Sequence, residues 1–131
     1  MRGFLASFAA VAAVLATSPA WALLAPATAW VPTIDAVRHV ESKVNLPDGA
    51  KSMGAYVRFY TGVVENGRKV IEGVYLVRAV VEDMHRTVHG DVNIVAARDM
   101  PFINDGGCLM VTVYFDVASD AITRIRCNGY A

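Results

Sequence analysis

Asn66-Gly67, set between two β-rich runs, constrains the fold of this chain more than any other pair of residues. A two-residue hairpin turn favours positive φ at both central positions, which Asn and Gly adopt at least cost. If Glu65 pairs with Arg68, the register follows by counting. Val63 then faces Val70, Phe59 faces Val74 and Val57 faces Leu76 on one side of the ribbon, while Arg58 faces Tyr75 and Tyr56 faces Val77 on the other. A slip of one residue would scatter those apolar pairs between faces, so the alternation itself supports the register. Val57, Phe59, Val63, Val70, Val74 and Leu76 are the expected core face. Tyr56, Arg58, Tyr60 and Tyr75 then form an aromatic–cation stripe on the face away from the helix. Left bare, that stripe is a candidate docking surface for a partner; otherwise it is ordinary cross-strand pairing. Gly62 and Gly73 are expected to mark bends or bulges.

A helix is expected upstream, over 33–45. Thr33 can cap it, Asp35 suits the positive end of the helix dipole, and Ile34, Val37, Val40 and Val44 follow one face. Asn45-Leu46-Pro47-Asp48-Gly49 ends it, since proline cannot continue the hydrogen-bond ladder. Downstream, Glu82–Asp91 (EDMHRTVHGD) reads as a polar loop or frayed strand end, and Val92–Ala96 as a short third strand. Arg98–Gly107 is an irregular connection carrying Pro101 and two adjacent glycines.

Cys108–Phe115 and Ala121–Cys127 read as a second hairpin, with Val111, Val113 and Phe115 facing the core. Joining Phe115 to Asp120 by a four-residue loop sets Cys108 directly opposite Cys127, within reach of a disulfide. The same register puts Met110 beside Ile125 and Val111 beside Arg124, which mixes the faces. A bulge near Ala118–Asp120 would clean the faces and move the cysteines off direct opposition. Closing a loop of about twenty residues contributes roughly 3 kcal/mol, which helps a domain this small.

Residues 1–22 read as a secretory signal peptide: Arg2, an apolar run from Phe4 to Ala16, a break at Thr17-Ser18-Pro19, and the small-x-small site Ala20-Trp21-Ala22. Ala25-Pro26-Ala27 and Ala27-Thr28-Ala29 are further cleavage sites of the same kind. The competing reading is an uncleaved anchor, since no charge stands between Arg2 and Asp35. Its apolar run, however, falls short of the ~20 residues a spanning helix needs. With no cysteine close behind the run, lipid attachment at a new N-terminal Cys is excluded. Residues 23–32 form an apolar lead-in, and 33–131 a single domain of about 100 residues. Without Arg2 the chain has eleven basic and twelve acidic residues, so it has no basic stripe to track phosphates and nucleic-acid binding is not expected. An exported pair of cysteines is expected to be oxidised.

Around the cysteines, Asn104, Asp105, Gly106 and Gly107 precede the first, and Asn128, Gly129 and Tyr130 follow the second. A bridge would gather these at one end of the sheet as a small polar patch, suited to an anion held by glycine amides. Each residue type also has a sufficient role in a turn. His85 and His89 are spaced i,i+4, but two ligands do not close a metal site and no HExxH-type glutamate accompanies them. His39 is expected to pair with Asp35 on the helix surface. No GxSxG, P-loop or dinucleotide fingerprint is present. No cofactor is expected.

Pro101 leading into Asp105-Gly106-Gly107-Cys108, Asp116 in the following turn, and Cys127-Asn128-Gly129 resemble a group of small exported proteins of Gram-negative bacteria. Those carry a Pro-x-x-x-Asp-Gly-Gly-Cys segment and a Cys-Asn-Gly tail. The resemblance covers the last third of the chain and the leader. It implies a periplasmic disulfide-bonded domain and transfers no catalytic residue. The fold expected is α+β, one helix on a four- to five-stranded antiparallel sheet with a disulfide-linked C-terminal hairpin. The function expected is a non-enzymatic binding or structural module for a protein or small ligand, without stable membrane insertion after cleavage. The alternative is a small hydrolase or thiol-redox enzyme using Cys108, Cys127 or the histidines.

Overall fold

A computed structural model of the chain describes residues 29–129. The leader and Tyr130 lie outside that range. The elements are α1 (Ile34–Lys43), β1 (Tyr56–Glu65), β2 (Arg68–Val77), α2 (Arg78–Asp83), β3 (Val92–Ile94), β4 (Gly107–Asp116) and β5 (Ala121–Asn128). The strands form one sheet in the order β3-β1-β2-β4-β5.

The first hairpin has the register expected from Asn66-Gly67, running without interruption from Glu65↔Arg68 to Tyr56↔Val77. Asn66 and Gly67 sit at φ 50° and 75°, the left-handed region such a turn requires. Gly62 and Gly73 mark no bulge. Each makes room for an aromatic ring instead: a Cβ on Gly62 would lie 2.7 Å from the Trp30 indole, and one on Gly73 2.9 Å from the Tyr60 ring. Trp30, from the lead-in, bridges to Gly62 and donates its indole N–H to the Val63 carbonyl at 2.9 Å. The folded unit therefore begins before Thr33.

The sheet is mixed, not wholly antiparallel, because β3 runs parallel to β1 with Arg58 opposite Val92. The physical reason is where β2 stops. Val77 lies beside Tyr56, the first residue of β1, so a chain that crosses β1 from that end can only run with it. The crossing is made by α2, which follows directly on β2 and takes up the start of the expected loop at Glu82–Asp91. Val81 is buried, so packing overrides the β-preference of Val80-Val81.

Over β1 and β2 both faces of the sheet are covered, and the assignment of α1 is the reverse of the expectation. Thr33 caps α1 by accepting from Ala36 N–H at 3.2 Å, and Val37 and Val40 pack on Tyr56, Tyr60, Ile71, Tyr75, Val111, Val113 and Phe115. Val57, Phe59, Val74, Leu76 and Met110 face the other way, beneath Val81 and the segment carrying Val95, Met100 and Ile103. The tyrosine stripe is thus the floor of one core.

Cys108 and Cys127 are joined by a disulfide with Cα atoms 4.5 Å apart. They are not cross-strand partners. The ladder pairs Val111 with Cys127, Val113 with Ile125 and Tyr114 with Arg124, with irregularities between Gly107 and Val111 and between Tyr114 and Phe115. The turn closes from Asp116 to Ala121, not from Phe115 to Asp120, and Thr123 is the extra residue on β5. Bulging Cys108–Met110 out of the ladder lets Cys108 reach back to Cys127. Among the described residues no helix is long and apolar enough to cross a membrane.

Candidate functional site

The residues flanking the cysteines are brought together, and the Asn128 side chain is already engaged. Gly107 pairs with Asn128, whose side-chain amide donates to the Ile103 carbonyl. Asp105, Gly107 and Gly129 all hold positive φ, at 48°, 52° and 68°. Gly129 stands against Asp105, where a Cβ would lie 3.2 Å from the carboxylate. Gly106 is closed by the Ile103 side chain. Asn104 and Asp105 remain exposed. The geometry is that of interlocked turns, with glycines where the backbone needs them. Beside it, Cys108 lines a cleft of about 270 Å³ with Gly49, Lys51, Gly106 and Leu109.

Tyr56, Arg58, Tyr60 and Tyr75 offer no docking surface. The three tyrosines are fully buried and Arg58 is 8% exposed, because α1 lies across them. Their polar atoms form one network. Arg58 Nε donates to Glu41 Oε1 at 2.7 Å, and its Nη1 donates to the carbonyls of Met53 and Tyr56, each at 3.0 Å. Tyr60 donates to the same Glu41 oxygen at 3.0 Å and its hydroxyl lies 2.7 Å from that of Tyr75. Burial, with the neighbouring Tyr75 and Glu41, raises the Tyr60 hydroxyl far above the usual phenol range. Burial likewise pushes Tyr75 up to about 12, although its bond to Tyr60 opposes this. Tyr56 donates to the Cys108 carbonyl at 2.8 Å and accepts from Lys51 N–H at 2.9 Å, tying the core to the disulfide loop.

His39 does not pair with Asp35, which binds Arg38 instead. It reaches across to the β4–β5 turn, where His39 Nε2 lies 2.6 Å and Lys43 Nζ 3.0 Å from the two carboxylate oxygens of Asp120. These bonds, His39 first, hold the Asp120 carboxyl below the usual range. At the other end of the turn, burial would raise Asp116, but donation from Ser119 N–H, Arg68 and Ala118 N–H outweighs it and lowers the carboxyl. His85 and His89 lie in the loop after α2; His89 N–H donates to the buried Asn93 side chain at 2.7 Å. The cysteines are joined to each other, so the residues that a nucleophilic mechanism would draw on lie in separate places.

An aromatic–cation stripe does exist, on other residues and on the other face. Tyr114 pairs with Arg124 across β4–β5, and the guanidinium lies 3.7 Å from the centre of the ring. The Tyr114 hydroxyl donates to Glu72 at 3.2 Å. Burial, then the Glu72 charge, raises this phenol, with Arg124 opposing. Thr112 pairs with Arg126 one step along, on the same face. The cover over the β1–β2 half does not extend here. A groove of about 230 Å³ runs between Pro101-Phe102 and the strands, lined by Met110, Tyr114, Arg126 and Asn128, and Phe102 is 64% exposed. The signal was present as two alternating runs, Thr112-Val113-Tyr114 and Arg124-Ile125-Arg126. It was obscured by a hairpin register that placed Val111 beside Arg124.

No protein-family model, no curated protein and no solved structure matches this chain.

Proposed function

We propose that the chain is exported through its leader and acts in the periplasm or outside the cell as a non-enzymatic binding module. The observation that carries the binding assignment is the Tyr114–Arg124 stack on a sheet half that α2 leaves open. Stacking holds the guanidinium over the ring and keeps its orientation without burying its charge, which prepares it for a partner at low entropic cost. Phe102 adds an exposed aromatic beside the same groove. Aromatics and arginine are the residue types that carry most interface energy. Export is supported by the leader pattern and by a disulfide of the kind that persists in oxidising compartments.

Photo-crosslinking in cells tests the binding surface. Benzoyl-phenylalanine at position 102 of the full chain is expected to capture a defined adduct, and the same group at position 117, in the β4–β5 turn, is expected to capture none. Equal labelling at both positions, or none at either, overturns the assignment. N-terminal sequencing of the processed protein tests export: a new terminus after Ala22, Ala27 or Ala29 is expected, and retention of Met1 in the cytoplasm contradicts it.

A thiol-redox role has one observation in its favour, the cleft that Cys108 shares with Lys51. An external dithiol entering there would attack Cys108 Sγ as a thiolate, and Cys127 would leave as a thiolate. The second thiol would then close the reagent's own disulfide and release Cys108 reduced. Alkylation trapping in cells decides this reading: a bridge that stays fully oxidised through growth has a structural role only.

A further inference from the structure

β5 occupies the outer position of the sheet, with no strand beyond it among the described residues. Its outward backbone groups are therefore open to another chain. Arg38, Arg58, Arg68, Arg78 and Arg98 each meet a carboxylate within 4 Å. Arg86, Arg124 and Arg126 meet none among the described residues, and of these Arg124 and Arg126 are exposed. Arg124 and Arg126 share one face of β5 two residues apart, which is about 7 Å along a strand. The extra residue at Thr123 lies before them, so Arg124–Cys127 pairs regularly with Val111–Tyr114.

We infer that the β5 edge binds an extended, acidic segment of a partner protein, which adds to the sheet as a sixth strand. The inference rests on the binding-module reading and names the occupant of the same surface. An added strand presents side chains with the period of β5 itself, so carboxylates at alternate positions come into register with Arg124 and Arg126. Main-chain hydrogen bonds supply affinity, and the side-chain alternation supplies specificity. An apolar side chain between the acids points to the opposite face of the sheet, the one on which Ile125 and Cys127 lie partly buried. A charged edge also guards a sheet against pairing with copies of itself. That protection and the recognition of an acidic strand are compatible, since two Arg-bearing edges repel each other while an acidic strand is attracted.

The probe is a fluorescein-labelled octapeptide of alternating Glu and Val, measured by anisotropy on the processed, oxidised protein. Saturable binding tighter than about 1 mM is expected, weakening with salt. Arg126→Glu, which leaves the Tyr114–Arg124 stack in place, is expected to weaken it about tenfold with an unchanged melting temperature. Methylating alternate backbone nitrogens of the peptide is expected to abolish binding, because strand addition needs those N–H groups. Binding that survives methylation, equal binding of a Lys-Val peptide, or no binding at all overturns the inference. Preferential binding of an anionic polysaccharide or of phosphatidylglycerol vesicles, undiminished by the peptide, also overturns it. If crosslinks form at position 102 while the acidic peptide fails, the binding module stands and only the acidic strand falls; if both fail, both readings fall.

Discussion

Glu41 on α1 and Arg58 on β1 meet at 2.7 Å in the interior, each with its side chain at least four-fifths buried. The contact joins α1 to the first strand and sets the tyrosines beneath it. Charge makes it specific: an unpaired guanidinium with a side chain 10% exposed is costly, which favours α1 lying where Glu41 can reach it.

Glu41→Ala is accordingly expected to destabilise the fold by about 3 kcal/mol, because it strands a buried guanidinium as well as removing a bond. Glu41→Gln keeps an acceptor for Arg58 Nε and Tyr60 and is expected to cost less. Urea denaturation of the two variants measures the difference. Equal midpoints for wild type and Glu41→Ala would show that the pair contributes nothing to holding α1.

Opening the Cys108–Cys127 bridge releases a loop with a sequence separation of 19 residues, and Cys127→Ser is expected to lower stability by about 3 kcal/mol. Thermal melts under oxidising conditions give the size of the effect. Wild type with reductant should melt with the variant. A reductant effect on the variant itself would point to a cause other than the bridge.

Alkaline pH should unfold this protein through its buried phenols. Tyr75 titrates at about 12 in the folded chain, against an ordinary phenol near 10 once unfolded, and Tyr60 is raised as well. Their contribution is complete below pH ~10 and is lost as pH climbs from there through the folded value, since the unfolded state releases its protons first. Absorbance at 295 nm during a pH titration should show these tyrosines ionising together with loss of secondary structure. Tyr75→Phe should make the loss of stability above pH ~10 less steep.

Gly62→Ala is expected to expel Trp30 from the sheet edge, since the new Cβ would sit 2.7 Å from its ring and closer still to its carbonyl oxygen. A cost of about 1–3 kcal/mol follows from overpacking of this kind. Cleavage at any of the three candidate sites removes Trp21 and leaves Trp30 as the sole tryptophan, so its emission reports the change directly. A red shift at unchanged far-ultraviolet dichroism is the expected result.

Local chemistry was enough to specify the first hairpin to the residue, the Thr33 cap of α1 and its buried Val37 and Val40, and the pairing of the two cysteines, although Ile34 is left exposed and Val44 lies past the helix end. Each rests on interactions between near neighbours in sequence, or on there being only two candidates: a turn that demands positive φ, a period of two, a period of 3.6. Sheet faces are a different matter. Alternation divides Val57, Phe59 and Leu76 from Tyr56, Tyr60 and Tyr75, but both sets are large and apolar enough to bury. The tyrosine set lies under α1, where Glu41 meets Arg58 and Tyr60 from 17 and 19 residues away, a pairing that local alternation does not encode. The second hairpin carried two irregularities that no turn motif announced, so its true register, and with it the Tyr114–Arg124 face, emerged only when β4 was held in place by β2. The direction of β3 likewise depended on where β2 ends in space. Strand spacing is written in the chain; the covering of a two-sided sheet depends on contacts that local alternation does not encode.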